Sequence, residues 1–161
     1  MDFTEIDIIA FVSGLDGVVV FTPTAADGAP EISWGDTFVY HDPDGDPQAG
    51  RRMPFATIVT KDYDGFDTVS NLNRPGVFRL NIAVGREGFE KLVGYPPAAH
   101  AGRAAHFDYA VLDRFLPHPV YATQSWVCVL NPGQASAAQA RSLLADAHAR
   151  AAQRHRRRAS E

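Results

Sequence analysis

The stretch GVFRLNIAVG places Arg79 and Asn81 between Phe78, Leu80, Ile82 and Val84, so a strand here carries a guanidinium and a carboxamide on one face. The guanidinium is a planar fork of donors suited to a carboxylate, phosphate or other acidic group, while the carboxamide both donates and accepts. Lys61 shares an alternating face with Thr57 and Val59 in FATIVTKD, and Trp126 shares one with Gln124 and Cys128 in QSWVCVL. Joined with Arg79 and Asn81, they would form a polar platform for a ligand or partner. In PHPVYATQSW, His118 stands between two prolines, three residues before Tyr121. A histidine fixed there can serve as general acid or base near neutral pH. With Arg79 as anion anchor, it would make a small enzyme. Each residue also has a structural reading. Arg79 pairs with an aspartate of residues 62–67, Asn81 bonds loop backbone, His118 bonds a carbonyl or caps a helix end, and Tyr121 and Trp126 pack.

Other chemistries find less support. Asp42, Asp44 and Asp46 alternate in HDPDGDP, but a calcium loop starting at Asp42 would need glycine where Pro47 stands and glutamate where Met53 stands. Asp-Pro and Asp-Gly pairs are turn chemistry. Ser125 has no GxSxG setting, GREG at 85–88 is not a dinucleotide fingerprint, and no Walker sequence occurs. His100, His106 and His118 lack zinc-ligand spacing, so no metal and no cofactor is assigned. Asp62, Asp64 and Asp67 read as a solvated acidic connector. The single cysteine, Cys128, lies in an apolar run and reads as a small core residue.

The elements that must position these residues follow from periodicity. DFTEIDIIAFVSGL is a helix with capping candidates at Asp2 and Thr4 and glycines after it. VVVFT is a short strand, and EISWGDTFVYH is a strand pair or one strand bent at Gly35. MPFATIVTKD is the next strand, with Pro54 at its start. A connector of about fourteen residues leads to the Arg79 strand, a length that is often functional or mobile. GREGFEKLVG is a short helix ending at Gly94, and YPPAAHAGRAAH is loop. Val111, Leu112, Phe115 and Leu116 have helical spacing behind an Asp108 cap, and VYA and SWVCVL read as the last strands. Ala137, Ala140, Leu144, Ala147 and Ala151 then form a narrow small-residue stripe on a closing helix. This order predicts an α+β domain over 1–152, with a mostly antiparallel sheet and helices on one face. A basic, disordered tail is expected over 153–161. With helices on one face only, Arg79 and Asn81 would lie on the open one.

The totals bound the class. A chain of 161 residues that is 45% apolar buries one sizeable core. Residues 141–161 hold six Arg against Asp146 and Glu161, a net of +4, whereas the rest carries nine basic and seventeen acidic residues. That acidic body opposes a polyanion, so nucleic-acid contact would have to run through the arginine-rich C-terminus. The N-terminus lacks a basic segment and an unbroken apolar one, and no run approaches a membrane span of about 20 residues. A cytoplasmic protein with no membrane partner is expected.

The blocks PFATIVTKD, NLNRPGVFRLNIAVGREGFEKL and LDRFLPHPVYATQSWVCVLNP resemble a family of small bacterial proteins that carries only an unknown-function label. The resemblance spans about residues 4–150 and brings no catalytic residues with it. More distantly, the order of elements, with a tryptophan strand followed by a helix, is similar to MmcQ/YjbR-like proteins. That likeness implies a double-wing arrangement and DNA binding. The leading expectation is a binding or interaction module using Arg79, Asn81, Lys61, Tyr121 and Trp126. The alternatives are a small enzyme with His118 as acid or base, and double-wing DNA binding.

Overall fold

The computed structural model describes residues 2–45 and 53–160. Helix α1, Glu5–Ser13, starts where Thr4 and Asp7 satisfy each other's backbone donors: Asp7 N–H donates to Thr4 Oγ1 at 3.2 Å and Thr4 N–H to Asp7 Oδ2 at 3.1 Å. The strands are β1 (Val18–Phe21), β2 (Thr37–His41), β3 (Ala56–Val59), β4 (Arg79–Ala83), β5 (Phe115–Pro117) and β6 (Trp126–Leu130). Helices α2 (Gly85–Val93) and α3 (Ala137–Ala159) complete the regular elements. The sheet order is β1-β2-β3-β4-β6-β5, with every neighbour antiparallel. The fold is α+β, and β4 lies inside it between β3 and β6.

Register assigns each face. Leu80 stands opposite Ile58 and Val129, and Ile82 opposite Ala56 and Val127. These side chains are buried with Ile8 and Val12 of α1, Phe89 of α2, and Ala140, Leu144 and Ala147 of α3. The small residues of α3 let its backbone approach the sheet closely. Arg79 and Asn81 stand on the reverse face, beside Thr57 of β3 and Cys128 of β6.

The reverse face is not open. Arg79 and Asn81 are only 1% and 2% exposed, so the expected uncovered platform is corrected. Residues 62–73 fold back over it as a second cover. An arginine at the centre of a six-stranded sheet needs its donors matched, and the connector brings the acceptors.

Four further differences are local. Residues 108–117 form turns and β5 instead of a helix. Asp108 accepts from Ala110 N–H two residues on, an Asx turn that competes with helix capping. Asp113 takes a positive φ of 58°, and Pro117, which has no N–H, sits on the edge strand where none is required. The segment VYA runs into a 3₁₀ turn at Ala122–Gln124, and residues 31–33 of the proposed bent strand are also 3₁₀. Helix α3 continues to Ala159, beyond the expected boundary at 152. Arginine is a good helix former, and its charge complements a helix C-terminus.

Candidate functional site

The connector builds the site from a tight turn. Tyr63 and Asp67 exchange backbone hydrogen bonds of 2.9 and 2.8 Å, and Gly65, with φ of 74°, supplies the left-handed residue between them. The legs of this hairpin are tied together. Asp62 Oδ1 accepts from Leu72 N–H at 2.7 Å, and Asp62 N–H donates to Asn73 Oδ1 at 3.0 Å. The Tyr63 hydroxyl donates to buried Asp36, and burial, then that bond, pushes the phenol upward from its usual pKa. Asp36 also accepts from Thr60 N–H and Oγ1, at 2.8 and 2.9 Å.

This turn aims Asp67 inward at Arg79. Arg79 Nη1 donates to Asp67 Oδ1 at 3.1 Å and to Ser70 Oγ at 2.9 Å, while Nη2 donates to Asp67 Oδ2 at 2.5 Å. Arg79 Nε donates to Asn81 Oδ1 at 2.8 Å, and Asn81 Nδ2 donates onward to Thr57 Oγ1 at 2.9 Å. Four of the five guanidinium donors thus have oxygen acceptors. The fifth faces His118 Nε2 across 3.5 Å.

His118 is fixed in a tautomer by its backbone. Its Nδ1 lies 3.0 Å from Val120 N–H and 2.9 Å from Tyr121 N–H, so it accepts from both and carries no proton. The neutral ring therefore bears its hydrogen on Nε2, and the two nitrogens 3.5 Å apart are both donors. They do not hydrogen-bond to each other. Burial, and secondarily the Arg79 charge, holds the imidazole well below its ordinary pKa. Protonating Nδ1 would break both backbone bonds. This geometry equips His118 to donate a hydrogen bond as a neutral imidazole more readily than to shuttle a proton.

The other candidates fall around this centre. Lys61 does not join Arg79: its Nζ donates to the Trp34 carbonyl and lies 3.4 Å from Asp36 Oδ1. Trp126 is buried, with its ring 6.4 Å from His118. Tyr121 stacks obliquely on His118 at 5.0 Å yet is 36% exposed, and its ring meets Phe66 at 6.2 Å. Phe66 and Val69 are more exposed still, at 57% and 54%. Sequence reasoning missed Phe66, Val69, Ser70 and Tyr63 as parts of the site. Asp67 was anticipated only through the structural reading of Arg79. The Gly65 turn in DYDGFD was the one local signal.

Elsewhere, burial pushes the Cys128 thiol up to about 12. Asp42 and Asp44 of the rejected calcium loop are described, while Asp46 lies outside the described residues. Among the described residues, no group of three His, Cys, Asp or Glu is arranged to hold a metal ion. A cleft of about 1130 Å³ is lined by residues 2–6, 72–78 and 131–134, among others, and includes none of Arg79, Asn81, His118 and Tyr121. Among the described residues no helix is long and apolar enough to cross a membrane.

Residues 2–160 match a family of unknown function, DUF6194, and the chain belongs to that family. No curated protein and no solved structure matches it. The MmcQ/YjbR-like likeness therefore rests on the order of elements alone.

Proposed function

We propose that the protein is an interaction module whose contact surface is the outer side of the 62–73 hairpin together with Tyr121. The observation that carries this reading is the exposure of Phe66, Val69 and Tyr121 on the two segments whose Asp67, Ser70 and His118 belong to a buried network that is almost fully hydrogen-bonded. Phe66 and Val69 held outward on the tethered hairpin, with Tyr121 against Phe66, form a preorganised patch, and aromatic anchors dominate protein–protein recognition. Arg79, Asn81 and His118 then serve as positioning residues. Arg79 holds Asp67 and so the hairpin, while His118 holds the backbone of Tyr121. Exposed Asp64 stands beside the Gly65 tip, so the partner presents an apolar side chain bordered by a basic group.

A photo-reactive phenylalanine analogue at position 66, with a control at exposed Ile32, tests this in the producing cell. One discrete adduct is expected from position 66 and none of that size from position 32. Val69→Asp should abolish it. Identical adduct patterns from both positions would remove the reading.

A second reading keeps a small ligand on the sheet face, and the facing donors of His118 Nε2 and Arg79 Nη2 favour it. An oxygen acceptor between them, from a carboxylate or carbonyl compound, would satisfy both. Nitrogen resonances of His118 followed during addition of acetate and phosphate check it. A shift of Nε2 is expected for a ligand, and constancy assigns the position to buried water. For double-wing DNA binding no observation of comparable weight exists, and the net charge of −4 predicts a flat duplex shift assay at low salt.

A further inference from the structure

On the helix-covered side, at the end of the sheet where β1 pairs with β2, three histidines from distant parts of the chain meet. The His41 ring, at the end of β2, lies 5.4 Å from the ring of His148 and 5.4 Å from that of His155, both on α3. His148 also meets Phe55 at 6.1 Å, and its Nε2 donates to the Asp16 carbonyl at 2.7 Å. His155 Nε2 is 3.1 Å from Asp44 Oδ2. The Nδ1 atoms of His41 and His155 are buried with no hydrogen-bond partner.

These contacts hold one half of a helix that is anchored differently in its other half. Ala140, Leu144 and Ala147 are buried in the core, and Arg150 donates to the Ala83 carbonyl. Among the described residues beyond Arg150, only Ala151 is buried. The rest of the attachment passes through His155 and a small pocket of about 220 Å³, lined by His41, Phe55, Ala151, Arg154 and Arg158 among others.

We propose that the packing of His41 against His148 and His155 forms an acid-sensitive latch, which docks the arginine-rich end of α3 near neutral pH and releases it when the His41 imidazole protonates. The charge balance is the driving force. Arg154, Arg156 and Arg158 already lie near His41, and a proton gained by its ring adds to their charge. Asp42 and Asp44 are the opposing charges, and Asp44 is engaged with His155. His41 is the ring whose protonation is resisted: burial first, then the neighbouring histidines and arginines, lower its pKa from 6.5. The docked end therefore binds fewer protons than the released end between that lowered value and about 6.5, so docking weakens as pH falls through this window. Release frees a basic helical arm from an acidic body.

Hydrogen exchange of the whole chain at pH 7.5 and 5.5, corrected for intrinsic rates, reads the latch. Protection at residues 152–159 should fall more than at 137–147 between the two pH values. The midpoint should coincide with the titration of the His41 ring followed by NMR in the unaltered protein. His41→Phe, which keeps the ring and removes the charge, should abolish the difference. Equal loss of protection in both halves, or a His41 titration far from the exchange midpoint, would overturn the proposal. So would an unchanged response in a folded His41→Phe variant. Protection at pH 7.5 that a chelator removes would replace the latch with a metal bridge.

Discussion

At the residue scale, Arg79 decides the character of the site. A guanidinium in the middle of a sheet is held by a bidentate carboxylate, a serine hydroxyl and an amide oxygen, so it is part of the structure before it can recognise anything. Removing one partner strands the other charge in the interior. Asp67→Ala and Arg79→Ala are each expected to cost about 3–5 kcal/mol in denaturant unfolding. A joint Arg79→Met, Asp67→Leu replacement should cost less than either single change, because no charge is left buried. His118 contributes a pH dependence with a definite sign. Its folded pKa lies well below 6.5 while the unfolded chain titrates near 6.5, so the unfolded state binds more protons over the interval between them. Stability is therefore unaffected by this group above about pH 6.5 and declines as pH falls below it. Urea midpoints at pH 7.5 and 5.5 should differ in that direction, and a folded His118→Phe variant should show a smaller difference.

At the element scale, the start of α3 depends on a residue from another part of the chain. Asp113 accepts from Gly133, Ala135 and Ser136 N–H at 2.7, 3.0 and 3.0 Å, and from the Ser136 hydroxyl at 2.6 Å. The Ser136 hydroxyl bond, reinforced by those backbone donors, draws its carboxyl pKa down to about 2. This is N-terminal capping supplied across 23 residues. Asp113→Ala should destabilise the protein by about 1–2 kcal/mol, the usual worth of a cap, with Asp113→Asn retaining part of it. The hairpin obeys the same logic of local tethering. Its backbone bonds and the Asp62 bonds define the turn, and Arg79 fixes its tilt over the sheet.

At the scale of the molecule, two covers enclose one sheet. The helices bury the apolar face, and the connector with residues 118–121 buries the polar one. Cys128 reports on the second cover, since it lies on the polar face beside Asn81 and is fully buried. With burial pushing its thiol up to about 12, almost no thiolate exists at pH 8. A disulfide reagent should therefore react with it only on the timescale of opening. Asp67→Ala should accelerate that reaction in step with its loss of stability, whereas an accessible thiol reacting at once would contradict a sealed face.

The sequence alone determined the α+β class, the apolar alternation of β4, the α2 stop at Gly94 and the small-residue stripe of α3, because each follows from local periodicity or backbone preference. It also held both readings of Arg79, as a contact residue and as half of an ion pair. Only the tertiary structure chose between them. Whether a polar strand face meets solvent or a returning loop depends on where residues 62–73 travel after Gly65 turns them, and no periodicity encodes that path. The histidine cluster was invisible for the same reason: His41, His148 and His155 are brought together by a helix crossing a sheet, through contacts more than a hundred residues apart.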